Sequence, residues 1–150
     1  MSKESLFKSR IEVSHALEAS EPLQDIWVAG WIRTKRESKN FVFLELNDGS
    51  TLLNLQIIVD NDITGAELLH SVSTGSSVAV KGNVVASKGS GQKWELHARS
   101  IEVFGINHGE YPLQKKRHSD EFLRQNAHLR ARTNKSVSYT HLTLPTILLV

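Results

Sequence analysis

The sequence predicts an all-β protein, a small five-stranded Greek-key barrel with one short helix between the third and fourth strands. Three observations predict it. From Asp25 the chain turns into short runs rich in β-branched and aromatic residues. Turn residues separate these runs, Asn47-Asp48-Gly49-Ser50 between the second and third and Gly89-Ser90-Gly91 between the fourth and fifth. Between the third and fourth runs, Asp62 to Ser73 places Leu68, Leu69 and Val72 on one side of a helix.

In chain order, residues 1–24 form a preamble with a brief helix at about Ser14–Ala19, ended by Pro22. The strands are expected at roughly 26–37, 40–47, 51–59, 77–88 and 92–104. Five strands with a helix after the third is the order of an OB-fold, although other small barrels share the strand count. Residues 25–110 are read as this barrel. Residues 111–135 are a basic connector: an extended linker to Arg117, then a helix through about Gln125 or beyond. Ser119 caps that helix, with Asp120 and Glu121 in its first turn. Residues 136–150 form a distinct tail. No internal repeat is visible.

Composition narrows the function. A chain of 150 residues suits one domain plus attachments. The absence of cysteine excludes a disulfide scaffold and a zinc-thiolate site, and fits a cytoplasmic protein. The first residues are charged throughout and do not read as a secretory signal. No segment approaches the roughly 18 apolar residues of a membrane span. The net charge of +2 hides an asymmetry. Met1 to Glu110 carries 11 Lys/Arg against 14 Asp/Glu, whereas Tyr111 to Lys135 carries 7 against 2. Within the barrel, Arg33, Lys35, Arg36 and Lys39 form a local basic run able to attract phosphate.

The second strand carries the most telling pattern. Val42, Leu44 and Leu46 make one face; Phe41, Phe43 and Glu45 make the other. In the third strand Leu53, Leu55, Ile57 and Val59 share a face, opposite Asn54 and Gln56. Burying both aliphatic sets together fixes the register parity and turns Phe41 and Phe43 outward beside Asn54 and Gln56. Rings with amides beside them suit single-stranded bases, which stack on the rings and offer their edges to the amides. The strand 2–3 face of an OB-fold is where oligonucleotides bind, and the basic run could hold their backbone.

Other features read as structure. Lys88 to Lys93 is glycine-rich but lacks the ending of a P-loop and precedes no helix, so it is a hairpin turn. Trp27, Trp31 and Trp94 suit core or barrel-rim packing. His108, His118 and His128 lie ten apart with no metal-ligand spacing. No catalytic constellation is present, so no catalytic, cofactor-binding or metal-binding residue is assigned.

Several stretches carry a family resemblance. Val28 to Arg36, Phe41 to Ser50, Leu55-Gln56 and Thr74 to Val78 look like the anticodon-binding OB domain of the class IIb aminoacyl-tRNA synthetases, which include the asparaginyl, aspartyl and lysyl enzymes. Tyr111 to Ser119, Glu121 to Arg124 and Ala127 to Arg130 resemble the connector of the asparaginyl enzymes more than that of their aspartyl relatives. Ala131 departs from the family, which usually has proline there. The resemblance covers roughly residues 10–134.

It implies that the chain reads the anticodon of tRNA(Asn). Phe43 is similar to the ring that stacks on the central uridine, and Gln56 to the amide that reads its edge. Arg36 and Glu95 match positions near the flanking bases; Arg33, Phe41 and Asn54 are added from strand geometry. In the intact ligase, ATP and magnesium activate asparagine as an adenylate before transfer to the tRNA. Those catalytic motifs lie downstream in the family, so the resemblance implies a homodimeric parent enzyme and a monomeric fragment that does not aminoacylate alone. The alternatives are an aspartyl or lysyl anticodon domain, a stand-alone OB protein for single-stranded nucleic acid, and an OB module that binds protein. The last predicts little dependence on salt.

The tail, Ser136 to Val150, has no Asp, Glu, Lys or Arg. Val137 to Thr146 resembles a translated sequencing-library transposon adaptor, and the tail is expected to be foreign sequence.

Overall fold

The computed structural model describes residues 8–89, 91–109 and 111–136. The tail expected to be foreign lies, beyond Ser136, outside the described residues. The chain divides into two compact units, Met1–Tyr111 and Pro112–Val150.

The first unit is a closed barrel of five strands: β1 (Leu23–Glu37), β2 (Phe41–Asn47), β3 (Leu55–Asp60), β4 (Ser77–Ala86) and β5 (Trp94–Gly105). Their order around the barrel is β1-β2-β3-β5-β4. Only β3 and β5 run parallel; every other neighbouring pair is antiparallel. Closure depends on the length of β1. Its first half, Leu23 to Trp31, pairs with β4, and its second half, Trp31 to Glu37, pairs with β2. A register shift between Ile32 and Thr34 bends the strand between those two partners.

The alternation read in β2 and β3 is the one the barrel uses. Val42 faces Val59, Leu44 faces Ile57 and Leu46 faces Leu55. All six are buried, with Val28, Ile32, Val78, Val80, Val84 and Leu96 joining them from the other strands. Each fully buried aliphatic side chain contributes about 1.5–3 kcal/mol relative to exposure.

Three expectations are corrected. The third strand starts at Leu55, not 51, and Leu53 is 66% exposed rather than part of the core. The cause lies in Asn47, whose Nδ2 donates to the Thr51 and Leu53 carbonyls at 3.0 and 2.9 Å and to Asn54 Oδ1 at 3.1 Å. The chain curls over this amide, so the β2–β3 connection is longer than the tight hairpin expected, and the apolar alternation outruns the ladder.

Second, the helix after β3 is a six-residue 3-10 helix, Ala66–Ser71, and Leu68 is 44% exposed. At three residues per turn, positions 66, 69 and 72 eclipse; Ala66, Leu69 and Val72 are the buried set. Third, Lys35 leaves the expected phosphate-binding run. Strand parity turns it inward beside Leu44, and its Nζ donates to the carbonyls of Leu69 at 2.5 Å and Val72 at 3.1 Å. A cation there suits the helix C-terminus. Of the tryptophans, Trp94 is buried and Trp27 half-buried, but Trp31 is 40% exposed on a cleft of about 260 Å³ beside Phe104.

The preamble helix, α1 (Val13–Glu18), buries Val13 and Ala16. Its own N-cap, Glu12, makes no side-chain cap. The β2–β3 loop caps it instead: the Val13 amide donates to Asp48 Oδ2 at 2.9 Å and the Ser14 amide to Ser50 Oγ at 3.0 Å. Burial pushes the Asp48 carboxyl up, but hydrogen bonds from the Ser50 hydroxyl and from the Val13 and Ser50 amides outweigh it, leaving its pKa below the ordinary aspartate value. A carboxyl depressed in this way contributes stability above its unfolded pKa and loses it as pH falls through the folded one. Acidification through that window is expected to release α1 before the barrel opens. The protection factor of the Val13 amide, its exchange corrected for the intrinsic pH dependence, should fall as the pH drops, and Asp48→Asn should abolish that dependence.

In the second unit, α2 (Asp120–Gln125) starts where the sequence placed it. Ser119 Oγ accepts from the Phe122 amide at 3.2 Å. The His118 and Phe122 rings stack at 4.9 Å, and Lys135 pairs with Asp120. A short α3 (Ala127–Arg130) follows. Ser119→Ala should weaken α2 by about 1 kcal/mol, the usual worth of such a cap, read as lost exchange protection at the Phe122 amide.

Candidate nucleic-acid interface

The outward positions of β1, β2, β3 and β5 line up in two cross-strand rows. In one, Arg36 of β1 faces Phe43 of β2, which faces Ile58 of β3, which faces His97 of β5. In the other, Thr34 faces Glu45, Glu45 faces Gln56, and Gln56 faces Glu95. Four of the seven residues singled out from sequence therefore meet on one surface: Arg36, Phe43, Gln56 and Glu95. Arg36 and Gln56 are brought there by strands that diverge in sequence but flank β2.

The Arg36 guanidinium lies over the Phe43 ring, 5.1 Å from its centroid. This is cation–π geometry. A base arriving at the ring meets an exposed cation first, so one residue pair offers both a stacking plane and a phosphate or edge donor. Gln56 is half-buried, and its Oε1 accepts from Gln92 Nε2 at 2.7 Å. Glu95 is 4% exposed. Its Oε2 accepts from Ser87 Oγ at 2.8 Å, and its Oε1 pairs with His97 Nε2 at 2.9 Å. A carboxylate has lone pairs beyond these two bonds, but a base reaches them only by moving the β4–β5 loop or His97.

The other three residues lie elsewhere. Phe41 is 39% exposed at the far end of β2, facing Asp60, away from Gln56. Asn54 belongs to the loop before β3, not to the strand; it donates from Nδ2 to Glu45 Oε2 at 3.2 Å and accepts from Asn47. The expected pairing of two rings with two amides is thus corrected to one ring, Phe43, with one amide, Gln56. Arg33 sits at the register shift in β1 and is half-buried.

Sequence reasoning missed Gln92, Ser87 and His97. His97 was within reach, since the alternation of Trp94 and Leu96 with Glu95 and His97 places it on the outer face. Gln92 was not. Its neighbour Gln56 lies 36 residues earlier, joined through the parallel β3–β5 contact, which leaves no local signal.

Residues 26–104 match the family model described as an OB-fold nucleic acid binding domain. The chain belongs to that family. The match runs from Ile26, within β1, to Phe104, one residue before the end of β5, and takes in both outward rows. Among curated proteins, the chain is 51% identical over 127 residues to an asparagine–tRNA ligase of Oleidesulfovibrio alaskensis, covering 84% of this chain and 28% of that protein. It is 55% identical over 122 residues to the one from Treponema denticola, covering 77% and 26%. The chain therefore spans little more than a quarter of the length of these relatives. Among solved structures it is similar to an asparaginyl-tRNA synthetase from Pyrococcus horikoshii, with a TM-score of 0.77, 23% identity and coverage of 93% of this chain and 33% of that one. An aspartyl-tRNA synthetase from Entamoeba histolytica gives a TM-score of 0.71 at 18% identity, covering 88% and 34%. At these identities the two structures speak for the fold alone.

Proposed function

We propose that this chain is the anticodon-binding part of an asparagine–tRNA ligase and holds the anticodon loop of tRNA(Asn) on the outward rows of β1, β2, β3 and β5. The observation that carries the reading is the Phe43–Gln56 pair, a half-exposed ring diagonal to an oriented amide, with Arg36 over the ring. Phe43 stacks on the central base, Gln56 reads its edge, and Arg36 neutralises phosphate or meets a flanking base. Glu95 is a second edge acceptor, reached when His97 turns aside.

Asparagine activation with ATP and magnesium belongs, on this reading, to the longer ligase. Among the described residues no three His, Asp or Glu side chains come together as a metal site. The chain alone is expected to bind tRNA as a monomer and to form no asparaginyl-tRNA. Cytoplasmic placement follows from the same reading. Among the described residues no helix is long and apolar enough to cross a membrane.

The test is a titration of the full chain with an anticodon stem-loop carrying GUU, beside one with its central U replaced, at several salt concentrations. Preference for the first, with affinity falling steeply as salt rises, supports the reading. Equal affinity for both sequences points to a general single-strand binder, and affinity indifferent to salt points to a protein-binding module.

A further inference from the structure

We propose that Gln92, in the β4–β5 loop, is a positioning residue that fixes the polarity of the Gln56 amide and so makes the site selective for a base edge that offers a carbonyl. The inference rests on the anticodon reading above and names the residue that sets its specificity.

A glutamine amide has two different ends, a carbonyl that accepts and an NH2 that donates. Which end meets a base decides which base is accepted. In this barrel the choice is made by the protein. Gln92 Nε2 donates to Gln56 Oε1 at 2.7 Å, which occupies the accepting end. Among the described residues, Gln56 Nε2 has no side-chain or backbone acceptor. The donating end is therefore the one left for a ligand.

The row around Gln56 favours this orientation over its reverse. Its β2 partner is Glu45 and its β5 partner is Glu95. An NH2 group between two carboxylates lowers the local electrostatic energy, whereas a carbonyl oxygen in the same place raises it. Turning both amides over would keep one hydrogen bond between them but set Gln56 Oε1 against that acidic row.

The loop that presents Gln92 is held at its base. The Ser87 amide donates to the Lys93 carbonyl at 3.0 Å. Trp94, buried in the core, donates from its indole Nε1 to the Ala19 carbonyl at 2.8 Å, and Lys93 Nζ reaches the same oxygen at 2.9 Å. Ser87 Oγ ties the other side of the loop to Glu95 at 2.8 Å. Gln92 thus stands between fixed points and does not need the ligand to place it.

The consequence is a chemical rule for the base beside Phe43. Keto bases present an acceptor oxygen, O4 of uracil or O6 of guanine; amino bases present a donor NH2, on C4 of cytosine or C6 of adenine. A donating Gln56 pairs with the first class and opposes the second, donor against donor. Uracil over cytosine isolates this effect, because the two rings stack on Phe43 with the same footprint.

The experiment measures the ratio of affinities of the full chain for two anticodon stem-loops that differ only in a central U or C. It compares the wild type with Gln92→Ala and Gln92→Glu. All three should melt alike, since Gln92 lies in a loop and outside the core. The wild type is expected to favour U by roughly tenfold or more, the scale of one correct edge contact. Gln92→Ala frees the amide to turn and should bring the ratio close to one. Gln92→Glu offers only acceptors when ionised, captures Gln56 Nε2 and turns Oε1 toward the base, so the preference should move to C. The added negative charge weakens both complexes equally, which is why the ratio is the readout. A merely structural role for Gln92 does not reverse a preference. If the wild type favours U and both variants keep that ratio, the assignment of Gln92 is wrong while the anticodon reading stands. If the wild type binds both stem-loops equally, both fall together.

Discussion

Replacing Phe43 with alanine is expected to weaken binding of the anticodon stem-loop by about 10- to 100-fold, because a base stacked on an aromatic side chain is worth about 1–3 kcal/mol. The expectation follows from where the ring lies. Phe43 is on the outward side of β2, facing Ile58, while the inward neighbours Val42 and Leu44 carry the packing. Removing the ring therefore takes away a stacking plane and leaves the core intact. It also releases Arg36, which rests on that ring, so the salt dependence of the remaining affinity should persist. A Phe43→Trp variant, with a larger face, should retain binding. Phe41→Ala provides the contrast: that ring is at the far end of the strand, opposite Asp60, and its loss should cost distinctly less. A larger loss from Phe41→Ala than from Phe43→Ala would move the centre of the site to the end of β2 and detach it from Gln56. The measurement is a titration by fluorescence anisotropy at one fixed salt concentration.

The contrast between Phe43 and Asn54 shows what a period-two pattern can reveal. Parity alone placed Phe43 outward and Leu44 inward, and the β2–β3 register obeys it residue for residue. The same parity, extended four residues too far, made a strand position of Asn54. What ends the ladder is a side-chain event, the triple donation from Asn47 Nδ2, and turn geometry of this kind leaves only a generic Asn-Asp-Gly signal. The 3-10 helix repeats the lesson. Leu68, Leu69 and Val72 suggest a face at 3.6 residues per turn, yet the tighter winding selects Ala66 in place of Leu68. Charge was the least legible property. Lys35 and Arg36 are adjacent and chemically alike, but one caps a helix inside the barrel end and the other covers Phe43. Only strand parity separates them. The contact between Gln56 and Gln92 is hidden for a different reason, being a product of barrel closure between strands distant in sequence.

Barrel closure also leaves no room for a side chain at Gly82, and Gly82→Ala is expected to be strongly destabilising for a change of a single methyl. A Cβ at Gly82 would stand 2.1 Å from the His97 carbonyl oxygen, 2.9 Å from its carbon and 3.0 Å from Leu96 Cδ2. The first two are backbone atoms, so no side-chain rotation relieves the clash. Gly82 lies beside the register shift between Lys81 and Gly82, where β4 draws close to β5, and it pairs with Ile26 of β1 on its other side. The strand is held from both flanks and, in a closed barrel, has no free edge toward which to move. Either β4 and β5 separate locally or β5 shifts along β3. Overpacking that moves backbone costs about 1–3 kcal/mol or more, which for a domain of this size lowers Tm by roughly 4–8 °C per kcal/mol. Urea unfolding of Gly82→Ala should show a midpoint well below that of the wild type. Gly109→Ala should be nearly neutral, because nothing lies within 4 Å of its added methyl. The two variants separate a steric requirement from a general aversion to losing glycine. Gly82→Ala should also weaken stem-loop binding beyond what unfolding explains, since the atoms it displaces belong to His97 and adjoin Glu95, the β5 partner of Gln56. If the variant instead keeps the wild-type midpoint, β4 and β5 have more room at this crossing than their backbone positions allow, and the rigid support assigned to the β5 end of the Gln56 row is lost with it.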